Sequence, residues 1–223
     1  LRSISHDLRT PLTTIAGNAS SLLSNGKRFD EQTRYQIYQD IYNDSVWLNN
    51  LVENLLYATR IEEGRMVLNT STELLADVID DAVRHVKQHS GDHSIFVESD
   101  DEYILVTADA RLIVQVIINI VDNAVRYTPP GSHITIRSCR ENNMAVVYIE
   151  DNGNGISDED KEHVFDKFYS GTNRIADNRR SIGLGLYLCK AIIEAHGGTI
   201  TVGDNNPAGA VFVFTLPLAD NAF

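Results

Sequence analysis

Five short groups of residues have the types and spacing to do chemistry. Near the start, His6 is followed by Asp7, then Arg9, Thr10 and Pro11. An imidazole beside a carboxylate can act as a nucleophile whose other ring nitrogen passes its proton to the acid. Taken alone, the pair reads first as a solvated polar helix face. Farther on, Asn119 and Asn123 stand four apart and share one face of a helix. Two amides inside an apolar run need partners, such as a metal ion or a phosphate-bound water, or else each other's core neighbours. Arg126 and Tyr127 follow one turn later, with a charge for phosphate and an aromatic face. Asp151 precedes Gly153, Gly155 and Ile156. A carboxylate at a strand end, with glycines that permit close backbone approach, suits an amino group on a flat base; a plain turn has the same composition. Phe168 lies in the aromatic run Val164-Phe-Asp-Lys-Phe-Tyr169, which suits either a site wall or core. Gly183, Leu184, Gly185 and Leu186 then open a helix, where backbone donors and the helix dipole can meet phosphates. This is neither the dinucleotide fingerprint nor a P-loop.

The elements that must position these groups change character near residue 65. Leu1, Leu8, Ile15 and Leu22 recur every seven residues, flanked by Ile4 and Leu12, and predict an amphipathic helix. His6 falls nearly opposite that stripe, with Thr10 and Thr13 on its side, so it should face solvent. Pro11 removes a backbone donor and should kink the helix one turn after His6. Residues 24–27 read as a turn, and Asp30 as the N-cap of a second helix that runs to about residue 61 and ends at Gly64. A lone hairpin has an apolar seam wider than its partner helix covers, so a dimeric four-helix bundle is expected. A spacer coiled coil without chemistry has the same pattern.

Beyond residues 66–71 the patterns predict a helix over 73–87, strands over 94–98 and 103–106, and a helix over 111–127 capped by Asp109. Strands over 134–140 and 145–150 should flank a hairpin turn at 141–143. A short helix near 158–164, a mobile loop over 170–182, a helix over 184–196 and strands over 199–202 and 211–216 complete the chain. Such an order implies helices packed on one face of a mixed, largely antiparallel sheet. His85, His89 and His93 stand four apart but straddle a helix end and the Gly91 turn, which argues against a metal cluster.

The 223 residues carry a net charge of −12, with 43% hydrophobic and 22% charged side chains. Those are globular proportions, and the acidic balance excludes nucleic acid and anionic membrane surfaces as main partners. Cys139 and Cys189 have no ligand-like spacing and suit a buried reduced pair in the cytoplasm. No apolar run is long enough to span a bilayer, and no signal peptide is recognisable. The chain starts at Leu1 inside a helical pattern, so it reads as a cytoplasmic fragment. Any tie to an inner or plasma membrane would run through absent upstream segments.

In order, SHDLRTPL, NIVDNAVRYT, DNGNGI, VFDKFY and GLGL closely resemble the H, N, G1, F and G2 boxes of bacterial sensor histidine kinases. Around the first box, SISHDLRTPLTTIAGNASSLL is similar to the potassium-uptake, Kdp-type sensors. The resemblance implies a dimerisation and histidine-phosphotransfer hairpin over 1–65. It also implies, over 66–223, an α/β two-layer sandwich of the Bergerat type, shared with gyrase, the ninety-kilodalton heat-shock chaperone and mismatch-repair ATPases. Its implied ligands are ATP and Mg2+; its implied partners are a second copy and the receiver domain of a response regulator.

Residue by residue, the resemblance makes His6 the phosphoacceptor and Asp7 the acid that takes or orients its proton. Thr10 matches the residue that positions water for regulator dephosphorylation. Asn123 matches the magnesium ligand, with Asn119 lining the site; Arg126 and Tyr127 match positions near the phosphates and the nucleotide. Asp151 matches the adenine-amino contact, and Gly153, Gly155, Gly183 and Gly185 match the flexible positions that frame a lid. Ile156, Phe168, Leu184 and Leu186 belong to the same boxes and would line the nucleotide. Within the lid, the arginines of 174–180 have no motif match. Three other functions share parts of this pattern. A chaperone-type or mismatch-repair-type ATPase would leave the His6 helix without purpose. An anti-sigma-type serine kinase would lack the long hairpin. A non-enzymatic dimeric module would bind no ATP.

Overall fold

A computed structural model describes residues 2–87, 90–99, 101, 103–169, 171 and 183–219, with backbone only for residues 2–7. His89, the stretch 172–182 and the side chains of His6 and Asp7 lie outside the described residues.

Two long helices form the first part, α1 (Arg2–Asn25) and α2 (Glu31–Glu62). The helix α1 runs through Pro11 as one element, and the proline itself is buried. Leu8, Ile15 and Leu22 of the heptad stripe are half-buried. Gly26 closes α1 because Leu22 O would sit 2.4 Å from any Cβ there. Asp30 caps α2 as expected: its carboxylate accepts the Thr33 N–H at 2.6 Å, which holds its pKa below the usual carboxylate range. Past the far end, Gly64 takes φ 64° and Arg65 N–H donates to Arg60 O at 2.8 Å, a left-handed helix stop.

The remaining elements are β1 (Ser71–Leu74), α3 (Leu75–Lys87), β2 (Ser94–Ser99), β3 (Leu105–Ala108), α4 (Ala110–Tyr127), β4 (His133–Glu141), β5 (Met144–Asp151), α5 (Asp158–His163), α6 (Gly185–Ala195), β6 (Ile200–Asp204) and β7 (Ala210–Pro217). Five strands form one sheet in the order β2-β4-β5-β7-β6, with β2 parallel to β4 and every other pair antiparallel. Burial alternates strictly along β7, so one sheet face is covered and the other is half open. Helices α3, α4 and α6 cover the buried face, with α4 between the other two. Their apolar stripes, among them Ile79, Ile113, Ile117, Ile120, Ile192 and Ile193, meet Ile134, Ile136, Ile149 and Phe214 in one core. Between β4 and β5, Asn142 and Asn143 both take positive φ, the two-residue turn that matches strand twist.

Three expectations need correction. The helix expected over 73–87 begins only at Leu75, because Ser71–Leu74 pairs with β3 in a separate two-stranded ribbon. Strand β3 lies two residues later than expected, at Leu105–Ala108, in the register that this ribbon fixes. Asp109 does stand before α4, but its carboxylate makes no cap bond there; Oδ2 accepts the Asn69 N–H at 3.0 Å. That bond ties the chain just after the hairpin to the α/β layer. The hairpin also touches the layer through α2, which lies against α6 and sends Tyr57 onto the core. Of the two cysteines, Cys189 is buried and Cys139 only half-buried; both are free.

Candidate active site

The site is framed by α4, the end of β5 and the start of α6. On α4, the apolar stripe faces the core, which leaves the amide face of Asn119 and Asn123 half-buried beside it. Asn119 Oδ1 accepts from Gln115 Nε2 at 3.1 Å. Its Nδ2 is buried. The Asn119 side chain also holds the buried Cys189 thiol, so this amide faces the α4–α6 contact. The start of α6 lies against this amide: a Cβ on Gly185 would sit 3.8 Å from Asn119 Cγ. Leu184, the residue before α6, makes no side-chain cap bond, and the first turn of α6 carries no acid. Leu184 itself therefore gives the first N–H groups no side-chain cap, and such a helix start suits an anion.

Gly183 owes its identity to a close approach. It takes φ 69°, and a Cβ there would lie 2.2 Å from Tyr169 O. Phe168, also at positive φ (66°), donates its N–H to Gly183 O at 2.9 Å. The two ends of the 170–182 stretch are thereby joined. Tyr169 braces this junction by donating its hydroxyl to the buried Asp160 at 2.6 Å, a bond that pushes the tyrosine pKa up to about 12. Phe168 is partly exposed, with Lys167 Nζ 5.1 Å from its ring centre. Lys167 also pairs with Glu62 at the end of α2.

Asp151 is buried at the end of β5. Burial pushes its carboxyl pKa up, against the pull of the Gly153 and Ala210 N–H groups. Both of those bonds fall on Oδ1, at 2.9 and 3.2 Å. Oδ2 is left to meet a donor. Gly155 and Gly209 approach each other closely, and a Cβ on Gly209 would strike Asp151 O at 1.8 Å. Ile156 packs on the core, as does Leu186 next to the buried Leu184. Arg126 is half-buried and Tyr127 43% exposed in the last turn of α4.

The structure thus brings Asn119 and Gly185 together, Gly183 with Phe168 and Tyr169, and Asp151 with Gly153. It keeps Thr10 apart on the exposed side of α1, where Arg9, Thr10, Thr13 and Thr14 line a groove of about 320 Å³. The backbone of His6 and Asp7 belongs to α1. No group of three or more His, Cys, Asp or Glu side chains gathers to hold a metal among the described residues. Asn123 is half-buried on α4, one turn after Asn119. His85 and His93 go to separate partners, Asp81 O for one and Ser90 O with Thr128 for the other. Sequence reasoning missed Thr128, Gly209 and Ala210 as neighbours of Asp151; only the glycine after Pro207-Ala208 gave a local signal.

Comparison with known proteins identifies the family. Residues 1–64 match the His Kinase A (phospho-acceptor) domain, and residues 108–220 match the family of histidine kinase-, DNA gyrase B- and HSP90-like ATPases. Sensor protein KdpD of Clostridium acetobutylicum is 42% identical over 97% of this chain, which spans 24% of that protein. The Acinetobacter baumannii histidine kinase AdeS superposes with a TM-score of 0.73 at 26% identity, over 96% of this chain and 98% of that one. ThkA, solved in complex with the response regulator protein TrrA, gives 0.67 at 27% identity, over 100% of this chain and 62% of that one. No described helix is long and apolar enough to cross a membrane. With a phospho-acceptor hairpin leading into an ATP-binding α/β layer of the gyrase and chaperone type, the chain belongs to the sensor histidine kinases.

Proposed function

We propose that this chain is an autophosphorylating kinase core: residues 1–65 present His6 and dimerise, and residues 66–223 bind ATP. The observation that carries the reading is the buried Asp151 at the end of β5, whose Oδ1 takes the Gly153 and Ala210 N–H groups and whose Oδ2 lies outside those bonds. Asp151 Oδ2 would accept the adenine amino group. The α6 N–H groups and Arg126 would face the phosphates, with Tyr127, Ile156, Phe168, Leu184 and Leu186 around the nucleotide. Asn123 would hold Mg2+, which when bound neutralises phosphate charge. Gly153, Gly155, Gly183 and Gly185 would let the backbone approach.

A ring nitrogen of His6 would attack the γ-phosphorus while the bond to the bridging oxygen of ADP breaks. Asp7 would take or orient the proton on the other ring nitrogen. Little covalent assistance is needed in such a transfer, so alignment and charge neutralisation dominate. The phosphohistidine would then donate to an aspartate on a response-regulator receiver domain, as the ThkA–TrrA complex suggests by likeness. Thr10 would position water to hydrolyse the aspartyl phosphate of that partner, releasing inorganic phosphate and the free carboxylate. The apolar residues left exposed on the hairpin, Leu12 at 56% and Leu56 at 55%, fit a second copy. Because the chain spans a fraction of its KdpD relative, the stimulus would arrive through segments beyond it.

Incubation with labelled ATP and Mg2+ tests the reading. Acid-labile, base-stable phosphate on the chain is expected. ATP hydrolysis without label on the protein would favour a chaperone-type ATPase instead.

A further inference from the structure

Outside the residues assigned so far, His93 and Thr128 meet in a half-buried contact that leads straight to Asp151. Thr128 follows the last turn of α4 and is itself buried. Its hydroxyl is held from two sides, by Ala124 O at 2.7 Å and by His93 Nε2 at 3.0 Å. The opposite ring nitrogen, Nδ1, lies 3.1 Å from Ser90 O. With a proton on Nε2, the ring donates to Oγ1 while the hydroxyl donates to Ala124 O, and Oγ1 is pinned between two partners. With the only ring proton on Nδ1, toward Ser90 O, the single hydroxyl proton serves one of the two.

A β-branched side chain has one torsion at Cβ, so pinning Oγ1 also fixes the methyl. That methyl points at Gly153, where a Cβ would lie 2.5 Å from Thr128 Cγ2 and 3.1 Å from Asp151 Oδ1. The Gly153 N–H is one of the two donors that hold Asp151 Oδ1. The chain of contact is continuous: His93 sets the Thr128 hydroxyl, the Thr128 methyl buttresses Gly153, and Gly153 orients the carboxylate.

We infer that His93 and Thr128 are a positioning pair for Asp151, aiming its free oxygen at the amino group of an adenine base. The inference rests on the reading of Asp151 as the adenine contact. Its specific consequence is base discrimination, since only a ligand with the amino group gains from a well-aimed carboxylate. A nucleotide whose base carries an oxo group in its place should hardly sense the pair.

The test compares Mg2+-ADP and Mg2+-inosine diphosphate by calorimetry on the whole chain, with unfolding midpoints from the same samples. His93→Ala and Thr128→Val, which keeps the shape but not the hydroxyl, should weaken ADP binding by about tenfold and leave inosine diphosphate within about twofold. His93→Gln, whose amide can still reach Thr128, should restore most of the ADP preference. Asp151→Asn serves as the reference and should abolish it. If His93→Ala and Thr128→Val keep the parental preference while Asp151→Asn loses it, the pair is overturned and the adenine reading stands. If Asp151→Asn also keeps it, both fall. Equal losses for the two nucleotides would mark a merely structural role and overturn the pair as well.

Discussion

The hairpin and the α/β layer solve burial in opposite ways. In the layer, α3, α4 and α6 close over the sheet, and Ile117, Ile120, Ile134, Ile136 and Phe214 are wholly shielded from water. In the hairpin, Pro11, Leu51 and Ala58 alone are buried among the described residues. Leu23 is 89% exposed, and Tyr35, Tyr38 and Tyr42 stand along α2 in the open. A stable core demands extensive apolar burial, which the layer supplies from its own elements and the hairpin, among the described residues, does not. The difference matches the proposed division of labour. Nucleotide recognition needs preorganised donors, whereas a phosphoacceptor must be reachable from more than one direction.

Substitutions can break that division, and the largest effect is expected in the hairpin. His6→Gln should abolish phosphate incorporation and leave nucleotide affinity intact, as measured with labelled ATP and by calorimetry. Label persisting on the variant would place the acceptor elsewhere. In the layer, Asn123→Ala should weaken Mg2+-dependent nucleotide binding by roughly 100-fold, with the Mg2+-free titration little changed. A loss independent of Mg2+ would remove Asn123 as the metal ligand. Leu12→Lys and Leu56→Lys each forfeit roughly 1.5–3 kcal/mol of burial if a second copy covers them. Sedimentation should then report a monomer, and a concentration-dependent melting step should vanish while the layer's own transition stays. An unchanged mass would show that the seam is not covered by a copy.

Asp151→Asn should have the smallest effect on folding and should act in the stabilising direction. Burial raises this carboxyl in the folded state, so its ionisation opposes folding. Its contribution is fully present at a pH below the unfolded value and is lost as the pH rises through the folded one. The variant should therefore match the parent in acid and unfold at equal or higher denaturant near neutrality, despite impaired ADP binding. A variant less stable at neutral pH than in acid, relative to the parent, would contradict the assigned burial. Function and stability pull apart at this residue, as expected of a buried acid kept for recognition.

Much of the fold was legible because local rules wrote it. The Asp30 cap, the Gly64 stop and the Asn142-Asn143 turn each depend on residues within a few positions of one another. The amide pair Asn119 and Asn123 was visible for the same reason, being one helical turn apart. The β1–β3 ribbon was not, since Leu74 reads as the start of a helix until its partner Leu105 is in place. Asp109 looked like a cap and became a tether, because Asn69, forty residues earlier, reached its carboxylate first.

By itself, the sequence determined which chemical groups exist, in what order, and on which face of each helix or strand they lie. Periodicities of two and 3.6 residues follow from backbone geometry alone. Only the tertiary structure decided that Ala210 and Gly153 share Asp151 Oδ1, that Gly185 abuts Asn119, and that His93 reaches Thr128. Apart from the local Gly153–Asp151 bond, those contacts join residues far apart in the chain. They depend on strand register and helix packing, which a burial pattern permits in several ways and which close packing reduces to one.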